Sequence, residues 1–282
     1  IKKIISEYQQ KHCISFIEDT HTYFIKNNEG IIISDLPSVS TVLHCFYTPF
    51  NAQGTRAFKN CEGDKEKERL LLETWAATGE YASNMGSRVH YLLEKHLIEL
   101  YGSYKEVRQP IFNCDEEQTN TGDQMVKAGK SFIDIMHKRG AVLLDTEMVL
   151  GSYELSYVGQ PDKVWLMKGK NGIPGIVITD YKTNKEKNFE VHPYTILMKP
   201  PFQHHYDTAL AHYYIQLPLY GKLLLKMLEG TKYANIPLLG AVVVLLKPNA
   251  THEEFKVPKD VIKTILDMDV KSYLNHGKEK NK

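Results

Sequence analysis

Cysteine is scarce in this chain of 282 residues: there are four, Cys13, Cys45, Cys61 and Cys114. No two stand in a C-x-x-C pair, which argues against a zinc ribbon, and so few scattered thiols do not make a disulfide scaffold. The pattern fits a reducing interior, so an intracellular setting is expected. An excess of charge of one sign is also lacking: 35 Lys and Arg face 34 Asp and Glu, for a net charge of +1. Nothing molecule-wide therefore announces a polyanion partner, and any nucleic-acid contact has to be local. No apolar run approaches the ~18–20 residues a membrane-crossing helix needs, so no membrane partner is expected. Internal repeats are absent too.

What the chain does have is 42% hydrophobic residues, enough for one large domain or a domain with an insertion. "ISFIEDTHTYFI", "NNEG" and "IIIS" predict an N-terminal β-hairpin turning at 27–30. Ser38 and Ser40 offer N-caps for a short helix over 41–45. A helical pattern covers 51–101. Residues 102–124 are polar and turn-rich and predict a long loop or insert. An amphipathic helix is expected over 126–139, then strands at 142–150, 157–167 and 176–182. A loop with three prolines precedes a long helical pattern over 204–228, interrupted by Pro218, and 239–246 predicts a buried strand. The end of the chain, "HGKEKNK", predicts a frayed basic tail. The expected fold class is α/β, a central mixed sheet flanked by helices with a helical N-terminal region.

The stretch "GQPDKVWLMKGKNGIPGIVITDYKTNK", residues 159–185, sets a problem of cost, because it places Asp162 and Asp180 in apolar strands. Carboxylates are expensive to desolvate. The turn-rich "KGKNGIPG" predicts an antiparallel hairpin centred on Asn171 and Gly172, in which Asp162 faces Asp180. Directly opposed like charges destabilise a strand pair. Strand periodicity puts Asp180 and Lys182 on one face and Tyr181 on the other. A hard divalent cation such as Mg²⁺ or Mn²⁺ would relieve the repulsion; a structural Asp–Lys ion pair at a strand end is the alternative.

Pro161-Asp162 followed by Asp180-Tyr181-Lys182 resembles the signature of the PD-(D/E)xK nucleases. "VGQPDKVWL" with "ITDYKTNK" is closest to their RecB-like branch. Upstream, "WAATGEYASNMGSRVHYLLEKHL" resembles that branch's helix with a Gly, a metal-binding His and a following Glu; downstream, "YIQLPLY" resembles its Q-x-x-x-Y helix. The segment "DTHTYFI…PSVSTVL" is similar to the opening of viral, phage and mitochondrial exonuclease-like members. The resemblance implies a restriction-endonuclease-like nuclease core over 75–250 with the polar insert at 102–124, preceded by a hairpin and helical region over 1–74. A C-terminal helix and basic tail follow over 251–282.

The activity it implies is Mg²⁺- or Mn²⁺-dependent hydrolysis of DNA phosphodiesters, by an exonuclease acting on ends or single strands. A helicase or a recombination or replication protein is the partner implied. Asp162, Asp180 and Lys182 would be catalytic. Asp162, Asp180, the Tyr181 backbone carbonyl, His90 and Glu147 would hold the metal, with Asp145 also available on the Glu147 strand. Gln216, Tyr220, Gly159 and Glu94 would serve substrate binding. His204, His205 and His212 cluster in one predicted helix but find no partners for a zinc site. No cysteine follows Cys114, so the iron–sulfur cluster of some RecB-like nucleases is not expected. Other readings are a structure-specific or restriction-like endonuclease, and a nucleic-acid-binding scaffold without turnover.

Overall fold

The computed structural model describes residues 1–102, 107, 109–110 and 112–279. Residues 103–106, 108 and 111 of the polar segment, and 280–282 of the basic tail, lie outside the described residues. The N-terminal region opens on an unanticipated helix, α1 (Lys2–Lys11), followed by a three-stranded antiparallel sheet of β1 (Ser15–Ile17), β2 (Thr22–Lys26) and β3 (Ile32–Ile33). The turn at 27–30 forms as expected. Asn27 Oδ1 accepts from the amides of Glu29 and Ile31, a local bond that favours turns over strands.

Helix α2 (Val39–Leu43) starts earlier than 41 because the cap is Ser38, which accepts from the Thr41 amide. The helical pattern over 51–101 is broken twice. A 3-10 turn (Ala52–Gly54) and α3 (Arg56–Lys59) precede α4 (Lys65–Tyr101), whose N-cap Asp64 accepts from Glu66 and Lys67. Helix α5 (Glu116–Lys138) begins well before 126, so the second half of the expected insert is helical. Its start is a capping box: Asp115 accepts from the Gln118 amide, and the Gln118 side chain bonds back to the Asp115 amide. Polarity there marks a first helical turn rich in acids, which suits the positive end of the helix dipole.

Two expected strands are each split. Residues 142–150 become β4 (Val142–Thr146) and β5 (Leu150–Ser152), because Glu147 takes a φ of +43° and turns the chain. Residues 157–167 become β6 (Tyr157–Gly159) and β7 (Lys163–Lys168), with Pro161, which has no amide to donate, in the gap. Strands β5 and β6 pair by themselves. After β7 come β8 (Pro174–Lys182), α6 (Ala209–Leu228), β9 (Leu238–Leu246), β10 (His252–Lys256), α7 (Lys259–Asp267) and α8 (Val270–Glu279). The main sheet has the order β10-β9-β8-β7-β4, antiparallel except for the parallel β8–β9 pair. Strand β10 is its edge, so a division at 250/251 would cut the sheet, and the C-terminal segment is more than helix and tail.

In the central hairpin Lys163 faces Thr179, Val164 faces Ile178 and Leu166 faces Ile176. One further step sets Asp162 across from Asp180, in the predicted register. Alternate residues feed two cores. Val164, Ile178 and Val243 pack with Leu219 and Leu223 of α6 and Val42 of α2. Trp165, Tyr181 and Val244 pack with Val89, Leu93 and Phe132 of α4 and α5. The sheet is thus a layer between helices, and β7 and β8 present their ends to both.

Candidate active site

Three elements meet at the end of the hairpin. Asp162 stands just before β7, Asp180 and Lys182 close β8, and α4 brings His90. Asp162 is 9% exposed and Asp180 4%, so neither carboxylate can rely on water. Asp162 Oδ2 accepts from the Tyr181 amide at 3.0 Å, with His90 Nδ1 at 3.2 Å and Lys163 Nζ at 3.5 Å. Burial alone would raise the Asp162 carboxyl, but His90 and Lys163 hold it well below its ordinary value. What Tyr181 brings to Asp162 is its amide, a contact the sequence reading did not include.

Asp180 is the opposite case. Burial and the neighbouring Asp162 charge raise it, against the pull of Lys182. Lys182 Nζ lies 2.6 Å from Asp180 Oδ2 and 4.4 Å from the centroid of the Tyr213 ring. Burial disfavours its charge, but Asp180 and Asp162 outweigh that and raise the ammonium above its ordinary value. Two acids and a lysine therefore do converge, and the environments push the two acids' pKa values apart.

Ligand atoms of His90, Glu147 and Asp162 all lie within 4.8 Å of one another. Among the described residues this is the group able to hold a metal ion, and Asp180 stands outside it. Ligand bonds of about 2.0–2.1 Å in octahedral geometry put adjacent donor atoms about 3 Å apart, close to the His90–Asp162 spacing. One imidazole with two carboxylates is a donor set that a divalent ion could take. Glu147 lies just past β4 rather than within a strand. Its amide donates to the Asp162 carbonyl at 2.9 Å, and its own carbonyl accepts from Gln160 Nε2 at 3.1 Å. Asp145 turns away to Lys2, at 3.4 Å. Glu94 Oε1 accepts from the Thr146 hydroxyl at 2.9 Å.

A cleft of about 380 Å³ opens on this cluster. It is lined by His90, Glu94, Glu147 and Gln160, by Phe16 of β1, and by Glu18 and His21 of the turn that follows, whereas Asp162, Asp180 and Lys182 lie behind that lining. Val107 and Pro110, from the polar segment, border it as well.

Of the residues expected at the substrate, Tyr220 and Gly159 are buried and Gln216 is half-buried. Tyr220 is 6% exposed, and its hydroxyl accepts from Gln216 Nε2 at 3.0 Å. The pair shares one face of α6, which runs unbroken across Pro218. Gly159 is buried, and its close approach is to this pair: an added Cβ would lie 2.6 Å from Tyr220 Cε1 and 2.7 Å from Val39 Cγ2. Gly159→Ala should therefore lower stability by about 1–3 kcal/mol, read by chemical denaturation, and depress turnover by displacing Tyr220. A variant as stable and active as the parent would contradict this packing.

The histidine cluster does not form. His204 and His205 precede α6; His205 Nε2 lies 3.9 Å from Asp260, and His212 Nε2 lies 2.6 Å from Asp207. Sequence reasoning missed Lys163 and Tyr213. "PDKVWL" did show a lysine in an apolar strand, which was the available signal; Tyr213 gave none. The chain matches no protein-family model and no curated protein sequence.

Proposed function

We propose that this chain is a divalent-ion-dependent nuclease that hydrolyses DNA phosphodiester bonds, an exonuclease of the RecB-like PD-(D/E)xK type. The observation that carries the reading is the meeting of His90, Glu147 and Asp162 within 4.8 Å beside the 2.6 Å Asp180–Lys182 pair. Few structural needs call for so many buried ionisable groups at one strand end, and perturbed acids beside a cleft are the mark of a chemical site. When bound, Mg²⁺ or Mn²⁺ supplies Lewis acidity and brings the pKa of a coordinated water toward neutrality. His90, Glu147 and Asp162 would hold the ion, beside the Asp180–Lys182 pair. Lys182 orients the nucleophile and stabilises charge developing on the phosphoryl oxygens. The Tyr213 ring fixes the direction of that ammonium.

The cleft is walled by α4 and the N-terminal sheet, which suits a single strand or a frayed end better than the middle of an intact duplex. The test is digestion of end-labelled single-stranded and duplex DNA with Mg²⁺ or Mn²⁺, beside a chelator control and covalently closed circles. The expected result is metal-dependent release of nucleotides from linear DNA, with circles spared. Nicking of circles would assign an endonuclease, and DNA binding without any cleavage would assign a scaffold.

A further inference from the structure

Lys163 is 1% exposed, and nothing in the chemistry above uses it. It opens β7 directly after Asp162, and its side chain lies over the ring of Tyr181, which belongs to the core shared with α4 and α5. A buried ammonium needs partners, and this one has two. Its Nζ sits 3.5 Å from Asp162 Oδ2 and 3.9 Å from the centroid of the Tyr181 ring. An apolar side chain of similar volume would fill the space, and such replacements of buried ion pairs are often neutral or stabilising. Packing therefore does not explain the charge.

The contacts of Asp162 supply an explanation. Lys163 Nζ, His90 Nδ1 and the Tyr181 amide all meet its Oδ2. Three donors thus crowd one oxygen, and of the two cations among them only His90 belongs to the group that could hold an ion. We propose that Lys163 is an internal counter-cation of the metal centre, a positioning residue that balances the buried Asp162 carboxylate when no ion is present. It lets the site fold before the ion arrives, and it holds the ion's affinity down, because two positive charges then compete for one carboxylate. This rests on the reading of the cluster as a metal centre. Being buried, Lys163 does not itself reach substrate.

Lys163→Met removes the charge and keeps the length. The measurements are Mn²⁺ titration calorimetry and thermal unfolding, each on wild type and variant, with the chelated state as reference for unfolding. The variant should bind Mn²⁺ about tenfold more tightly or better. It should melt lower than wild type in chelator and gain more from Mn²⁺ than wild type gains. Lys163→Arg, which keeps the charge, should behave like wild type. If Lys163→Met folds only with Mn²⁺ present, that is the same result in stronger form. Should it fold in neither condition, Lys163→Gln carries the comparison.

Equal Mn²⁺ affinity and an equal Mn²⁺-induced melting shift in wild type and the uncharged variant would overturn the inference while leaving the nuclease reading intact. A wild-type protein that takes up no Mn²⁺ would instead overturn the metal centre, and the inference with it.

Discussion

Lys182→Ala is expected to lower kcat on single-stranded DNA by about 10²–10³, the loss typical of removing one group aimed at charge that develops in the transition state. Mn²⁺ affinity should not weaken, because His90, Glu147 and Asp162 remain and a competing cation is gone. The split between binding and turnover is the informative part. Lys182 is held on two sides, by Asp180 at 2.6 Å and by the Tyr213 ring, so its ammonium is charged and aimed before any substrate enters. A variant that turns over like wild type would remove Lys182 from the chemistry and leave it as the structural half of an ion pair. Quench-flow kinetics under single-turnover conditions would separate these outcomes from a change in product release.

Asp162→Ala should have the largest effect on the fold. Three donors lose their acceptor at once, and the Lys163 ammonium stays buried without a carboxylate. Breaking a buried pair from one side costs about 3–5 kcal/mol, which denaturant unfolding in chelator would measure. The pH dependence follows from the sign of the shift. The Asp162 carboxyl is held well below its ordinary value by His90 and Lys163, against burial. Its contribution is therefore present above the unfolded pKa of about 3.9 and is lost as pH falls through the lower folded value. The stability gap between wild type and Asp162→Ala should be full at neutral pH and shrink below about pH 4. Adding Lys163→Met to Asp162→Ala should recover part of the loss, since no orphan charge remains. A double variant that loses as much as the two single variants combined would show that the residues do not act as a pair.

Much of this site was legible because its residues are close in sequence. Asp162, Asp180 and Lys182 belong to one hairpin, whose turn residues and strand period fix the register without reference to the rest of the chain. His90 was found only through a resemblance; its own helix gives no sign that it reaches a strand end 72 positions away (162 minus 90). Tyr213 and Lys163 were missed for different reasons. Tyr213 matters through a ring face that only tertiary packing brings to Lys182. Lys163 drew no reading from the sequence, and the burial that makes it unusual comes from tertiary packing, over the Tyr181 ring.

Two fold errors have local causes that the sequence contained. The Asp115–Gln118 capping box was spelled out in "DEEQ", inside a stretch judged by its polarity. Apolar continuity hid the breaks at Glu147 and Pro161, although a proline in a strand run is a reason to end the strand. Tyr220 and Gly159 are buried and close to each other, a tertiary contact that their separation in sequence does not show.

The measurement that bears most directly on the central claim is anomalous diffraction at the manganese edge from crystals soaked in Mn²⁺. The expected result is a peak bounded by His90 Nδ1, a Glu147 carboxylate oxygen and an Asp162 carboxylate oxygen, beside Asp180. A protein that takes Mn²⁺ elsewhere, or leaves this cluster without a peak at saturating Mn²⁺, would contradict it.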